Sequence, residues 1–129
     1  MNLQRREILT AALAMTVGLT RRGRAQSGAG MYGLIGKMAA VSGKRDELIT
    51  ILIGGTGAMP GCLSYVVAKD TADADAIWIT EVWDSKASHD ASLSLPEVKA
   101  AISKGRPLIA SFDPPAVTTP VGGYNLKGA

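Results

Sequence analysis

Apolar residues fall in short runs between polar and glycine-rich breaks, and the period of each run predicts an element. Tyr32 to Val41 reads as a first strand. Leu48, Ile51 and Leu52 recur at helical spacing, with Ile49 and Ile53 at the margins. They predict a helix from Gly43 to about Ile53, capped by Ser42 and closed by Gly54, Gly55 and Gly57. Met59-Pro60-Gly61 is a turn. Cys62 to Lys69 and Ala76 to Trp83 are rich in β-branched and aromatic residues, and the polar stretch Asp70 to Asp75 joins them as a hairpin. A short helix starts at Asp84 or Ser85 and reaches Ser92. Ser94-Leu95-Pro96-Glu97 has the form of a capping box, with proline in the first turn, where its missing donor is harmless. Val98, Ala101 and Ile102 form the buried stripe of the helix that follows, which Lys104-Gly105 ends. Pro114-Pro115 breaks the chain, and Ala116 to Val121 reads as a last strand that Pro120 places at an edge. The order β-α-β-β-α-β is the split unit of a ferredoxin-like α+β sandwich.

The strands are apolar on both faces. In the second, Leu63, Tyr65 and Val67 oppose Cys62, Val66 and Ala68; in the third, Ile77, Ile79 and Trp83 oppose Trp78 and Val82. A sheet with one wet face alternates apolar with polar residues, and two helices cover one face only. The economical cover for the other is a second copy of the same sheet, so a homodimer of the dimeric α/β-barrel type is expected. Burying one Trp or Tyr side chain contributes roughly 4–6 kcal/mol before entropy.

Composition changes the picture once the charges are located. The 129 residues hold 14 Lys plus Arg and 11 Asp plus Glu, a net charge of +3. Arg5, Arg6, Arg21, Arg22 and Arg24 all lie within the first 25 residues beside one acid, Glu7. The rest of the chain is therefore close to neutral, which argues against a surface that tracks nucleic-acid phosphates. Residues 1–25 have the parts of an export signal: a basic start, an apolar stretch from Ile8 to Leu19, and small residues around Gly23-Arg24-Ala25. Arg5-Arg6 resembles a twin-arginine motif. Twelve apolar residues fall short of the roughly 20 that a membrane span needs, so no membrane attachment is expected after cleavage. The expectation is a periplasmic or secreted protein with a short tether at 26–30, one domain at 31–123 and a tail at 124–129.

A single cysteine, Cys62, leaves no internal disulfide and reads as a small buried hydrophobe. The single histidine, His89, is the leading base candidate, because imidazole changes protonation near neutrality. Ser85 and Ser92 share its helical face and are placed to orient the ring or to contact a substrate oxygen. The same ring can instead bond the backbone and fix its helix, and the residues alone leave both roles open. Tyr65, Trp78 and Trp83 are candidates to wall an aromatic slot, and equally candidates for core or dimer packing. Glu81 shares a strand face with Trp83 and is expected to pair with Lys37 or Arg106. Gly54-Gly55-Thr56-Gly57 ends a helix instead of opening one, so it is no phosphate loop.

Met59-Pro60-Gly61-Cys62, Trp78-Ile79-Thr80-Glu81-Val82-Trp83-Asp84-Ser85, His89, Ser92-Leu93-Ser94-Leu95-Pro96 and Arg106-Pro107 together resemble the antibiotic biosynthesis monooxygenase superfamily, in particular its quinol monooxygenase branch. The resemblance spans about Met31 to Gly123. It implies a dimeric ferredoxin-like protein that oxidises a quinol or polyphenol with O₂, without metal or other cofactor. His89 would then be the catalytic residue, with Tyr65, Trp78, Trp83 and Ser92 binding the substrate. A non-catalytic dimer that binds a small ligand is the alternative reading. Haem binding through His89 is a further one, although Gly36-Lys37, Ser92 and Ile102 stand where the haem-degrading relatives need other residues.

Overall fold

The computed structural model describes residues 30–126. The leader expected over 1–25, most of the tether and residues 127–129 lie outside the described residues. Strand β1 (Tyr32–Ala40) leads into helix α1 (Arg45–Gly54), then β2 (Cys62–Lys69) and β3 (Ala76–Trp83) form a hairpin. Helices α2 (Lys86–Ser92) and α3 (Pro96–Gly105) follow, then a 3₁₀ turn (Arg106–Leu108), β4 (Ile109–Phe112) and β5 (Ala116–Thr118). The sheet runs β2-β3-β1-β4, with β5 also paired to β1 and every pairing antiparallel. Because β3 inserts between β1 and β2, the β1-α1-β2 crossover is split: the fold is ferredoxin-like.

Register decides which side chains meet the helices. Met38 faces Ile77, Gly36 faces Ile79, Leu34 faces Glu81 and Tyr32 faces Trp83 across β1 and β3. Tyr65 and Val67 of β2 stand opposite Glu81 and Ile79. A ten-residue helix is too short to persist alone in water, so α1 depends on burying Leu48 among Met38, Ala40, Ile77 and Ile79. The opposite face keeps Ile35, Val66 and Trp78 at 40%, 51% and 38% exposure.

Several expectations are corrected by local geometry. Ser42 does not cap α1. It lies in a turn closed by the Lys44 N–H on the Val41 carbonyl (2.8 Å), where Gly43 has φ +79° and donates its N–H to Asp75 Oδ1 at 3.3 Å. The helix therefore starts after Lys44, without a side-chain cap. Ser94 does not cap α3 either, because its N–H is held by the Ala91 carbonyl in the turn leaving α2 (3.0 Å), and extended Leu95 is the flanking residue. Pro96 does stand in the first turn of α3, and Ser85 does cap α2 by accepting from the Ser88 N–H at 3.1 Å. Ile102 is 41% exposed, whereas Val98 and Ala101 are buried as the stripe requires. A bulge at Leu63 shifts the register of β2, so Cys62 pairs with Trp83 and joins the face that also carries Tyr65. The last strand stops at Thr118, and β4, which the sequence pattern did not predict, fills the other edge of β1.

Candidate active site

Helix α2 is pinned to the end of β3 by the Ser85 cap, and this places His89 against the sheet. Its ring lies 5.3 Å from that of Tyr32 and 5.5 Å, edge-on, from that of Trp83, with the side chain 17% exposed. Nδ1 is 3.2 Å from Asp90 Oδ1, and Nε2 is 4.0 Å from Glu81 Oε1. In the tautomer that donates Nδ1–H to Asp90, Nε2 on the Glu81 side carries the lone pair. Asp90 also accepts from Lys86 Nζ at 2.8 Å. Lys86 first, then His89, holds the Asp90 carboxyl below the usual carboxylate range, and Asp90 in turn raises the Lys86 ammonium.

Glu81 lies on the Trp83 face as expected, but its expected ion pair is corrected. It pairs with neither Lys37 nor Arg106: its Oε1 accepts the Trp83 indole N–H at 2.8 Å, and Lys37 lies 3.9 Å from Asp70 instead. Burial first, with the Glu81 charge second, pushes the Tyr65 phenol well above its ordinary value. Burial also raises the Cys62 thiol, against the hydrogen bond that it donates to the Ser64 carbonyl, and Glu81 adds to the rise. The clue available in the sequence was position: Glu81 lies two residues from Trp83 on the same strand face.

These side chains line a cleft between the helices and the sheet. A recess of about 120 Å³ is bounded by Tyr65, Glu81, Trp83, His89, Ser92 and Val98. It shares Leu52, Tyr65, Glu81, Ala101 and Ile102 as a common wall with a cavity of about 290 Å³, lined further by Met38, Ile79, Phe112 and Arg106. A hollow of about 430 Å³ along β1 and β4 also reaches Glu81. Tyr65, Trp83, His89 and Ser92 thus meet on one cleft. Trp78 does not: it lies on the opposite sheet face, where its indole N–H donates to Asp70 Oδ2 at 2.7 Å and Lys37 Nζ sits 5.4 Å above the ring. The Ser92 hydroxyl donates to the His89 carbonyl (2.6 Å) and the Ser85 hydroxyl oxygen is taken by the cap, so Asp90, not a serine, orients the imidazole. Among the described residues, no cluster of three His, Cys, Asp or Glu side chains is placed to hold a metal ion, and no helix is long and apolar enough to cross a membrane.

The ferredoxin-like domain thus carries an imidazole and a carboxylate together on the wall of one apolar cleft. The model of the antibiotic biosynthesis monooxygenase family matches residues 31–104, and the chain belongs to that family. A crystal structure provisionally named an antibiotic biosynthesis monooxygenase, from Chloroflexus aurantiacus J-10-fl, is 68% identical; the match covers 72% of this chain and 95% of that one, with a TM-score of 0.71. A similarly named protein from Caulobacter crescentus CB15 is 18% identical over 75% of this chain and 93% of its own, with a TM-score of 0.61. A Pseudomonas aeruginosa protein is 17% identical over 74% and 98%, with a TM-score of 0.65. The last two share the fold alone. No functionally curated protein matches the chain.

Proposed function

We propose that this protein is a cofactor-independent monooxygenase that oxidises a quinol or polyphenol-like small molecule with O₂. The observation that carries the reading is the His89 imidazole facing Glu81 at 4.0 Å on the wall of an apolar cleft. Triplet O₂ reacts slowly with closed-shell molecules, so the substrate must be made a ready electron donor. A phenol of pKa ~10 is ionised about one part in a thousand at pH 7, and ionising it fully means offsetting roughly 4 kcal/mol. His89 Nε2 takes the hydroxyl proton, and the Glu81 carboxylate stabilises the imidazolium that results. Tyr65, a neutral phenol on the cleft wall, donates to a second oxygen of the substrate. The deprotonated ring then passes electrons to O₂. In all, a hydroquinone plus O₂ gives a hydroxyquinone plus water: the ring loses four electrons and gains one oxygen atom, and the other oxygen atom leaves as water.

The reading includes a homodimer joined through the outer sheet faces and export by the twin-arginine route. The test of activity is O₂ uptake with a panel of hydroquinones in metal-stripped buffer. Uptake above autoxidation is expected, and His89→Ala should lower it by about 10²–10⁴-fold with an unchanged melting temperature. Ring binding without uptake would replace the oxygenase reading with that of a ligand-binding member of the fold.

A further inference from the structure

Arg106 stands where α3 ends and the 3₁₀ turn begins. Its N–H donates to the Ile102 carbonyl, its own carbonyl accepts from the Ile109 N–H, and Pro107 follows, so its backbone is fixed beside the cleft. The residue is exposed and lines the 290 Å³ cavity. Lys37 lies near Asp70, Lys69 near Asp46, and Arg45 donates to the carbonyls of Asp70, Asp73 and Ala76, while Lys99 and Lys104 do not line this cavity, so Arg106 is the cation on its wall. Among the described residues, no carboxylate lies within 4.0 Å of the Arg106 guanidinium. Glu81, the acid on the same cavity, accepts the Trp83 indole N–H. A guanidinium is a planar fork of donors suited to a carboxylate, and a partly apolar wall strengthens that attraction.

We infer that the substrate is an aromatic acid, with its carboxylate bound by Arg106 and its ring hydroxyl directed toward His89. This rests on the proposed function for the cleft and adds the charge of the molecule that fills it. A purely structural role for Arg106, a cation complementing the C-terminal end of α3, predicts no dependence on ligand charge.

The probes are 2,5-dihydroxybenzoate and its neutral isostere 2,5-dihydroxybenzamide, titrated into the full-length protein under nitrogen and followed by isothermal titration calorimetry. The acid should bind about tenfold more tightly than the amide, a preference that rising salt weakens. In Arg106→Gln the ratio should fall to about one while amide affinity holds, and Arg106→Lys should retain part of it. Equal binding of acid and amide, a ratio that survives Arg106→Gln, or failure of both ligands to bind overturns the inference. An intact preference without O₂ uptake overturns only the oxygenase reading, because these titrations exclude O₂.

Discussion

Glu81 sits in an apolar cleft at a desolvation cost that its indole hydrogen bond to Trp83 partly offsets, and its charge reaches the groups around it. Tyr65 records that influence. Its folded-state pKa is raised above the ordinary value of 10.0, by burial first and by Glu81 second. For a group raised in this way the stabilising contribution is fully present below pH 10 and is lost as pH climbs toward the folded-state value. Alkaline unfolding should therefore begin above pH 10, and Tyr65→Phe should flatten the loss in denaturant titrations repeated at several pH values. Glu81→Gln keeps the shape and the acceptor for Trp83 but removes the charge. It should lower the Tyr65 ionisation midpoint read by ultraviolet absorbance; an unchanged midpoint would leave burial and the Cys62 thiolate as the causes. The composition of β3 did not reveal this role. Strand alternation sets Glu81 on the Trp83 face, but a lone acid in a strand reads as an ion pair, and the register that puts it opposite both Leu34 and Tyr65 seats it in the cleft.

Gly55, the residue that ends α1, packs tightly against α3: an added Cβ would land on the Ala101 Cβ and lie 3.1 Å from the Glu97 carbonyl oxygen. Gly55→Ala should destabilise the domain by about 1–3 kcal/mol, the usual cost of overpacking, measured by chemical denaturation. Ala101→Gly in the same chain should restore part of the loss, because it vacates the contested space. If the double variant is no more stable than Gly55→Ala alone, the strain lies against the backbone of α3. The strands that meet these helices were legible, since β1 to β3 each carry several apolar or aromatic residues between clear breaks. Strand β4 was not: Ile109–Phe112 is four residues long, follows Pro107 closely, and owes its conformation to pairing with β1, a contact distant in sequence. The bulge at Leu63 was hidden for a related reason, because one extra residue leaves composition unchanged while reversing which side Cys62 faces. The caps diverged by local competition. Ser85 keeps its oxygen for the Ser88 amide, whereas the Ser94 backbone is already committed to the turn after α2.

In the whole domain the sheet divides two tasks between its faces. One carries the cleft, with Tyr65, Glu81, Trp83 and His89; the other leaves Ile35, Val66 and Trp78 in water. Trp78 lies under the Lys37 ammonium, and its indole N–H holds Asp70, whose carboxyl is lowered to about 2 by that hydrogen bond first and by the Asp73 and Ala72 amides next. The ring is thus fixed before any partner arrives, which reduces the side-chain entropy lost on association. A second copy laid on this face would bury three large apolar side chains from each protomer, and the melting temperature should then rise with protein concentration. Val66→Asp tests the arrangement. Position 66 is half exposed within the protomer, so the fold should survive, with an unchanged far-ultraviolet spectrum. Two like charges brought to the same interface should dissociate the pair, shifting sedimentation from a dimer to a monomer. Because the cleft opens on the other face, the monomeric variant should still bind dihydroxybenzoate within a few-fold of the unaltered protein. Sedimentation of the unaltered protein as a monomer at tens of micromolar would refute the face-to-face pairing, while a dimer that withstands Val66→Asp would move the interface to another surface.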